Sequence, residues 1–263
     1  MRSLHRRLYW TFGEIIRGVL DANIVDRVRT KIVRGKSIRV GQAGPLEGYR
    51  IASYDSKEPE TLDWLDQNLR PGDVLFDIGA NIGLYSMYAA AVQPTARVYA
   101  FEPVATNMVR LMRNVSLNGF ANIVPMNMAV SDRSSFNFMA LSALTPGAAL
   151  HEFGGANKTI LSQGGFSCSL DELVSKHGLP QPQLVKIDVD GHEGAVINGA
   201  RTVFSSPLCR SVLVEFSQAE AEGSALYRLL VDCGFKQTAV SAWELKMGGA
   251  TYRNYIFTKA ALA

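Results

Sequence analysis

The chain has 263 residues, of which 47% are apolar and 19% are charged, and its formal net charge is +3. This composition excludes a disordered chain, and 23 glycines and 10 prolines without a repeat exclude a collagen-like one. Three widely spaced cysteines form no CxxC pair, so we expect no disulfide framework, no zinc knuckle and a reducing, cytoplasmic setting. At about 150 residues per domain, the length permits one large α/β domain or two small ones.

The positive charge is concentrated at the start of the chain. Residues 1–40 hold ten Lys or Arg and three acidic residues. Because apolar residues recur at helical spacing over residues 4–20, we predict a basic, helical N-terminal extension covering residues 1–57. Its role is either docking on the main domain or a second subunit, or peripheral contact with a membrane surface or nucleic acid. We read no secretory signal at the start and no membrane span anywhere.

Strand and helix signals alternate from residue 58 to the end of the chain, which predicts a second domain over residues 58–263. Predicted strands cover residues 74–78, 97–101, 123–130, 135–140, 184–189, 212–216, 235–240 and 252–258. Predicted helices cover residues 60–69, 84–92, 104–118, 170–176, 193–200 and 220–233. This alternation predicts an α/β fold with a mainly parallel sheet covered by helices on both faces. Ligands of such sheets bind outside the carboxyl ends of the strands.

One segment interrupts the alternation. Residues 141–165 are rich in Gly, Ala, Ser and Thr and have no clear periodicity, so we expect either disorder or a functional lid there. The segment is followed by Ser169, whose spacing to Glu172 predicts a capping box for the next helix.

The turn after the first strand of this domain indicates a cofactor. Asp77 ends the strand, and a GxxxG stretch from Gly79 to Gly83 leads into the next helix. A carboxylate here disfavours a pyrophosphate and suits a ligand with an amino group or a sulfonium. Glu102 ends the second strand, where an acidic side chain can accept both hydroxyls of a ribose. The pattern favours S-adenosylmethionine over NAD; the alternative is a glycine-rich turn in an α/β enzyme with an unrelated ligand.

Five motifs in order resemble the FkbM family of S-adenosylmethionine-dependent methyltransferases. They are GDVLFDIGANIG (72–83), FEP (101–103), AVSD (129–132), SLDEL (169–173) and VKIDVDGHE (185–193). The resemblance spans about residues 58–217 and implies a class I methyltransferase fold, a Rossmann-like seven-stranded sheet. It also implies methylation, usually of a hydroxyl on a polyketide, sugar or glycan.

The resemblance also implies roles for individual residues. Residues on the methionine and ribose side of the cofactor would be Asp77, Gly79, Asn81 and Gly83. Glu102 would hold the ribose diol, Asn107 would join the cofactor-binding set, and the turn with Ala129 and Asp132 would flank the adenine. Asp190 departs from the family pattern, in which Glu is more frequent, but it keeps the charge.

Charged side chains accumulate where the predicted strand 184–189 ends. Methyl transfer to an alcohol requires removal of the hydroxyl proton as the oxygen attacks. In one hypothesis His192 is the general base, oriented by Asp188 or Glu193. In the other, Asp188, Asp190 and Glu215 hold a divalent cation that acidifies the hydroxyl. Structural alternatives are a Lys186–Asp188 pair, a Glu193 that favours the helix dipole, and a Glu215 that partners a neighbour.

The sequence therefore predicts an S-adenosylmethionine-dependent O-methyltransferase acting on a hydroxyl of a small molecule, sugar or glycan. An RNA methyltransferase is one alternative, prompted by the basic start, but the chain lacks the Asn/Asp-Pro-Pro-aromatic motif of amino-directed nucleic-acid enzymes. A cofactor-binding domain without catalysis is the other. We expect a cytoplasmic location, with contact to a membrane or a subunit through the N-terminal extension.

Overall fold

The computed structural model describes residues 26–141, 144–148, 152–153, 161–221, 223–242, 244–247 and 250–260. The helix predicted over residues 4–20 lies outside these residues. The strands are β1 (Arg27–Val33), β2 (Lys36–Gln42), β3 (Val74–Ile78), β4 (Arg97–Phe101), β5 (Ile123–Met126), β6 (Ala129–Val130), β7 (Ser135–Leu141), β8 (Glu152–Phe153), β9 (Leu161–Cys168), β10 (Leu184–Ile187), β11 (Ser211–Ser217), β12 (Lys236–Val240), β13 (Leu245–Met247) and β14 (Ala250–Thr258). The helices are α1 (Pro45–Ala52), α2 (Pro59–Asn68), α3 (Leu84–Val92), α4 (Ala105–Asn118), α5 (Leu170–Ser175), α6 (Glu193–Asn198), α7 (Arg201–Ser205) and α8 (Ala225–Asp232).

The main sheet follows the predicted plan. Its strand order is β12-β14-β11-β10-β3-β4-β5, and β13 pairs with β14 outside this path. β14 is antiparallel to both neighbours, whereas β11, β10, β3, β4 and β5 pair in parallel. The mostly parallel, seven-stranded α/β fold predicted from the sequence is confirmed.

The side chains of each strand point alternately to the two faces of this sheet. Each face packs into its own hydrophobic core. Leu75 packs in one cluster with Val98 and helix α3, and Phe76 packs in the other with Phe101 and residues of α6. A strand with both faces buried reads as a continuous apolar run, which is why 74–78 was recognisable as a central strand.

The N-terminal part differs from the predicted helical extension. Residues 27–42 form a β-hairpin, β1 paired antiparallel with β2, and only α1 of the described part of residues 1–57 is helical. In β1, basic residues alternate with Val28, Thr30 and Ile32; this period of two is typical of a strand and was hidden by the charge of the segment. Val33 and Ile38 are fully buried in the same core as helix α2, so the hairpin packs into the main domain.

A buried ion cluster joins this segment to helix α4. Arg110 contacts Asp26 at 2.7 Å and Glu47 at 2.5 Å, and the side chain of Glu47 is only 1% exposed. Such a pair is costly to break from one side, because the remaining charge stays buried without a partner.

A second, four-stranded sheet has the order β6-β9-β7-β8. The strand predicted over 123–130 is divided, since β5 belongs to the main sheet and β6 to the second one. The strand predicted over 135–140 exists as β7, but it pairs with β9 in the second sheet rather than at an edge of the main one. β9 also gives residues 161–165 a structure that the aperiodic sequence did not indicate.

One half of the predicted capping box is present at the start of α5. The hydroxyl of Ser169 accepts the backbone N–H of Glu172 at 3.2 Å, which confirms the N-cap. The carboxylate of Glu172 does not complete the box and accepts instead from the backbone N–H and the hydroxyl of Ser134. No helix within the described ranges is both long enough and apolar enough to cross a bilayer.

Candidate active site

A cavity of about 300 Å³ opens at the carboxyl ends of β3, β4, β10 and β11, where the topology of an α/β sheet places ligands. Nine of the residues singled out in the sequence line it: Gly79, Asn81, Glu102, Asn107, Ala129, Asp188, Asp190, His192 and Glu215. Four others, Asp77, Gly83, Asp132 and Glu193, do not line it.

The turn after β3 is pressed against the end of β10. Gly79 has a φ of +82°, and a Cβ built on it would lie 1.8 Å from the carbonyl oxygen of Asp188. The backbone N–H of Gly79 donates to the carbonyl of Phe101 on β4 at 3.0 Å. Only glycine fits here, because both the positive φ and the close approach exclude a side chain. The turn that was predicted to bind the cofactor and the acidic end of β10 therefore border the same cavity.

Asn81 occupies the next strained position, with a φ of 51°. Asparagine tolerates this region better than most residues. Its Oδ1 accepts the backbone N–H of Ile82 at 2.9 Å, and its Nδ2 donates to the carbonyl of Ala148 at 2.9 Å. Gly83, by contrast, is the N-cap of α3 with a φ of +86° and packs on Leu111, so its role is in the turn and not in the cavity wall.

Glu102 lies between the turns after β3 and β4. Its Oε2 accepts the backbone N–H of Asn81 at 2.8 Å, and its Oε1 accepts that of Val104 at 2.9 Å. Burial raises the pKa of this carboxyl to about 7, although the backbone donors and Asn107 oppose the rise. A carboxylate has about four acceptor sites, so Glu102 keeps acceptor capacity for the hydroxyls of a ligand.

The strap, which we define as residues 144–148, closes one side of the cavity. Asn107 donates to the carbonyl of Ala148 at 3.1 Å and accepts the backbone N–H of Gly147 at 2.8 Å. Arg50 donates through Nε to the carbonyl of Gly147 at 2.6 Å. The strap belongs to the aperiodic segment 141–165, so part of that segment does border the site.

Asp77 lies beneath the turn and not on the cavity surface. It is 1% exposed, and its Oδ2 accepts the hydroxyl of Ser86 at 2.5 Å, while Oδ1 has no hydrogen-bond partner among the described residues. Burial raises the pKa of Asp77, and the ammonium group of Lys186 opposes this rise. The predicted contact between Asp77 and a cofactor therefore has no direct path through the described cavity.

Lys186 and Asp188 form an ion pair at the end of β10, with 2.8 Å between Nζ and Oδ2. Burial alone would lower the pKa of Lys186, but Asp188, Asp77 and Glu58 raise it above its ordinary value. Burial would likewise raise the pKa of Asp188, yet Lys186 keeps it below its ordinary value. Asp188 thus presents an ionised carboxylate to the cavity.

The carboxyl of Glu215 differs from that of Asp188, because its pKa is raised and not lowered. It is 7% exposed, lines the cavity and makes no hydrogen bond to the rest of the described chain. Burial, together with the charges of Asp188 and Glu58, raises its pKa to about 9. At neutral pH its carboxyl is therefore protonated and able to donate a hydrogen bond.

His192 and Glu193 are neighbours in the sequence, but their side chains lie in different surroundings. His192 lines the cavity as the N-cap residue of α6 and makes no side-chain capping bond. Glu193 is 1% exposed and accepts the backbone N–H groups of Val189 and Gly191, each at 3.2 Å. Burial raises its pKa to about 7. Its contacts hold the loop between β10 and α6, and it does not line the cavity.

The metal hypothesis is not supported by the arrangement of side chains. Within the described ranges no three His, Cys, Asp or Glu residues converge closely enough to hold a metal ion. Asp188, Asp190 and Glu215 all border the cavity, but they do not form a ligand set.

The turn after β6 was predicted to flank the adenine. Ala129, Val130 and Ser131 line the cavity, whereas Asp132 is exposed and contacts Arg133 at 3.5 Å. Asp132 is therefore at the edge of this turn, away from the cavity wall.

Sequence reasoning missed two cations of the cavity wall. Arg50 and Lys57 both line it, although they precede the recognised motifs and lie in the segment assigned to the extension. No local pattern marks them, because only the packing of α1 against the main domain brings them to the site.

Comparison with known proteins agrees with this geometry. The family model described as "Methyltransferase FkbM domain" matches residues 77–237, well over half of the chain. The chain belongs to the FkbM methyltransferase family. The match begins at Asp77 and so leaves Arg50 and Lys57 outside the region that defines the FkbM domain.

Three curated relatives of this chain are methyltransferases by name. It is 28% identical to the 31-O-demethyl-FK506 methyltransferase FkbM of Streptomyces tacrolimicus over 65% of this chain and 75% of the relative. It is 30% identical to the hexuronic acid methyltransferase AglP of Haloferax volcanii over 57% of this chain and 59% of the relative. It is 29% identical to the methyltransferase sdnD of Sordaria araneosa over 65% and 76%, respectively.

Solved structures give a broader likeness. Magnesium protoporphyrin IX methyltransferase from Synechocystis shares 15% identity and a TM-score of 0.49, covering 84% of this chain and 86% of that one. A precorrin-6y C5,15-methyltransferase from Geobacter metallireducens shares 15% identity and a TM-score of 0.48, covering 76% and 88%.

Proposed function

We propose that this protein is an S-adenosylmethionine-dependent O-methyltransferase that acts on a hydroxyl of a small molecule, sugar or glycan. The observation that carries the proposal is the cavity between the Gly79 turn and the Asp188 end of β10, with Glu102 at its base. Membership of a methyltransferase family makes methyl transfer the reaction to expect from such a cavity.

The residues present fit this cofactor. Glu102 offers a buried carboxylate with spare acceptor sites for a ribose diol, and it is already oriented by two backbone N–H groups. Phe101, Met128 and Val130 supply an apolar wall suited to an adenine ring. When bound, S-adenosylmethionine supplies an electrophilic methyl group on a sulfonium.

Three side chains divide the work on the acceptor. Asp188 is held ionised by Lys186, so it accepts a hydrogen bond from a polar hydrogen of the acceptor and orients it. Glu215 is protonated at neutral pH and donates a hydrogen bond to an acceptor oxygen. His192 lines the cavity and takes the hydroxyl proton, because imidazole is the side chain that most often serves as a general base.

Two relatives support oxygen as the atom methylated and a sugar or small molecule as the acceptor class. One is named for a 31-O-demethyl compound and the other for a hexuronic acid. These two relatives align with 65% and 57% of this chain, respectively.

The test is an assay with methyl-labelled S-adenosylmethionine and a panel of sugars, glycans and hydroxylated small molecules. We expect mass spectrometry to find one added methyl group per product and NMR to place it on oxygen. The control is the Glu102→Gln variant, which should bind the cofactor weakly and yield little product. Methylation on nitrogen or carbon would contradict the proposed reaction, and labelling of RNA alone would contradict the proposed acceptor class.

A further inference from the structure

Arg50 lines the cavity and forms no direct ion pair within the described ranges, although its charge helps to lower the pKa of Asp188. Its Nε donates to the carbonyl of Gly147, but no carboxylate in the described parts of the chain lies within ion-pair distance of its guanidinium. A partly buried charge without a counter-charge is unfavourable unless a ligand supplies one. The bond from Nε fixes the plane of the guanidinium and leaves its two terminal nitrogens for another acceptor.

The other cations of this region are compensated by the protein. Lys57 contacts Glu58 at 2.7 Å, and Lys186 contacts Asp188 at 2.8 Å. Lys57 still lines the cavity beside Arg50, so it adds to the positive potential there. Among these three cations of the described chain, Arg50 is thus the one that makes no direct ion pair.

A second observation shows that the cavity is built to receive polar ligand groups. Glu215 lines the cavity, and its carboxyl makes no hydrogen bond to another side chain or backbone group of the described residues. Its capacity for hydrogen bonds is therefore open to a ligand in the cavity.

We propose that Arg50, supported by Lys57, forms a carboxylate-binding subsite in this cavity. The inference rests on the proposed function and extends it to residues that precede the matched family domain. A planar carboxylate suits the two terminal nitrogens of a fixed guanidinium, which bind such a group in a bidentate manner. A doubly charged phosphate fits less well, because the ionised Asp188 lies in the same cavity.

Two molecules can bring that carboxylate: the cofactor, through its amino-acid end, or the acceptor, through an acidic sugar. The first arm of the test measures binding by calorimetry. S-adenosylhomocysteine is compared with its decarboxylated analogue, which keeps the nucleoside, the thioether and the amine. If the cofactor fills the subsite, the wild-type protein prefers S-adenosylhomocysteine by about 10- to 100-fold, and Arg50→Gln abolishes most of that preference.

Arg50 could bind the carboxylate of the ligand or only support the strap. The ratio of the affinities for S-adenosylhomocysteine and its decarboxylated analogue distinguishes these two roles. Loss of the bond to Gly147 weakens both ligands alike, whereas loss of the subsite weakens only the ligand that has a carboxylate. Arg50→Lys should keep part of the preference. The control is Arg97→Gln, which removes the same charge from an exposed position at the opposite end of β4.

The second arm uses protein saturated with S-adenosylhomocysteine and titrated with methyl β-D-glucuronide or methyl β-D-glucoside. If the acceptor fills the subsite, the wild-type protein prefers the glucuronide and Arg50→Gln does not. The proposal is overturned if neither preference depends on Arg50. A wild-type protein that fails to bind S-adenosylhomocysteine would instead overturn the proposed function itself.

Discussion

The backbone N–H of Asn81 donates to the carboxylate of Glu102 at 2.8 Å, so the turns after two neighbouring parallel strands are joined by one short hydrogen bond. Because Val104 donates to the other oxygen of the same carboxylate, Glu102 is held in place before any ligand arrives. The side chain is therefore preorganised for hydrogen-bond donors that enter the cavity.

The first prediction concerns the affinity for the cofactor. Above pH 7, where the carboxyl of Glu102 is ionised, we expect Glu102→Gln to weaken binding of S-adenosylhomocysteine by about 10- to 100-fold. Hydrogen bonds to a charged group are the strong ones, and the amide offers fewer acceptor sites. Calorimetry measures this directly. Unchanged affinity in a variant that is folded by circular dichroism would show that the ribose is not held here.

The second prediction concerns stability as a function of pH. The pKa of Glu102 is raised from 4.5 to about 7, so the folded protein retains a proton that the unfolded chain has released between these values. The contribution of Glu102 to the free energy of unfolding of the wild-type protein should fall by about 3 kcal/mol as pH rises through this window. Glu102→Gln lacks this titration, so the stability difference between the two proteins should narrow with rising pH in urea titrations. If the free energies of unfolding of the two proteins change with pH in parallel, the raised pKa of Glu102 is contradicted.

The third prediction concerns the contact between the two halves of the site. Gly79→Ala should destabilise the protein by about 3 kcal/mol or more, since the new Cβ meets the carbonyl oxygen of Asp188 and the φ is positive. Gly35→Ala is the matched control: its φ is +80°, but nothing lies within 4 Å of the added Cβ, so it should cost about 1 kcal/mol. Equal losses in urea unfolding would show that the close approach does not matter.

The fourth prediction separates two adjacent residues. His192→Ala should lower kcat while leaving the affinity for S-adenosylhomocysteine unchanged, because the imidazole faces the cavity. Glu193→Gln should leave kcat near that of the wild-type protein, since its amide oxygen can still accept from Val189 and Gly191. Steady-state kinetics on an identified acceptor decides the matter, and normal turnover of His192→Ala would refute the general-base role.

The fifth prediction concerns the hairpin. Ile38→Ala should cost about 2–5 kcal/mol, because Ile38 is fully buried in the same core as α2. Ile32→Ala, on the same hairpin but 59% exposed, should change stability by less than about 0.5 kcal/mol. A single unfolding transition that shifts with Ile38 would show that the hairpin and the sheet unfold together. Two transitions would place the hairpin in a separate unit.

The central sheet could be predicted from the sequence because its strands are buried on both faces and read as apolar runs. The Gly79 turn and Glu102 were found for a similar reason: the requirement for glycine and the acid at a strand end are local signals. The hairpin was missed because the basic residues of β1 obscured a period of two.

The different positions of the acidic and histidine side chains within residues 188–193 could not be predicted from the sequence. Asp188, His192 and Glu193 are equally polar in the sequence, and only the fold buries Glu193 under the loop while leaving His192 at the cavity. Arg50 and Lys57 were missed because their place depends on how α1 packs, which no spacing encodes.

The carbonyl of Ala148 accepts the side-chain amides of both Asn81 and Asn107, so the turn after β3, helix α4 and the strap meet at one oxygen. Because Asn81 and Ala148 both line the cavity, a molecule that displaces the Asn81 amide removes one of these two hydrogen bonds. Within the described residues, Asn107 then remains as the donor that holds this carbonyl.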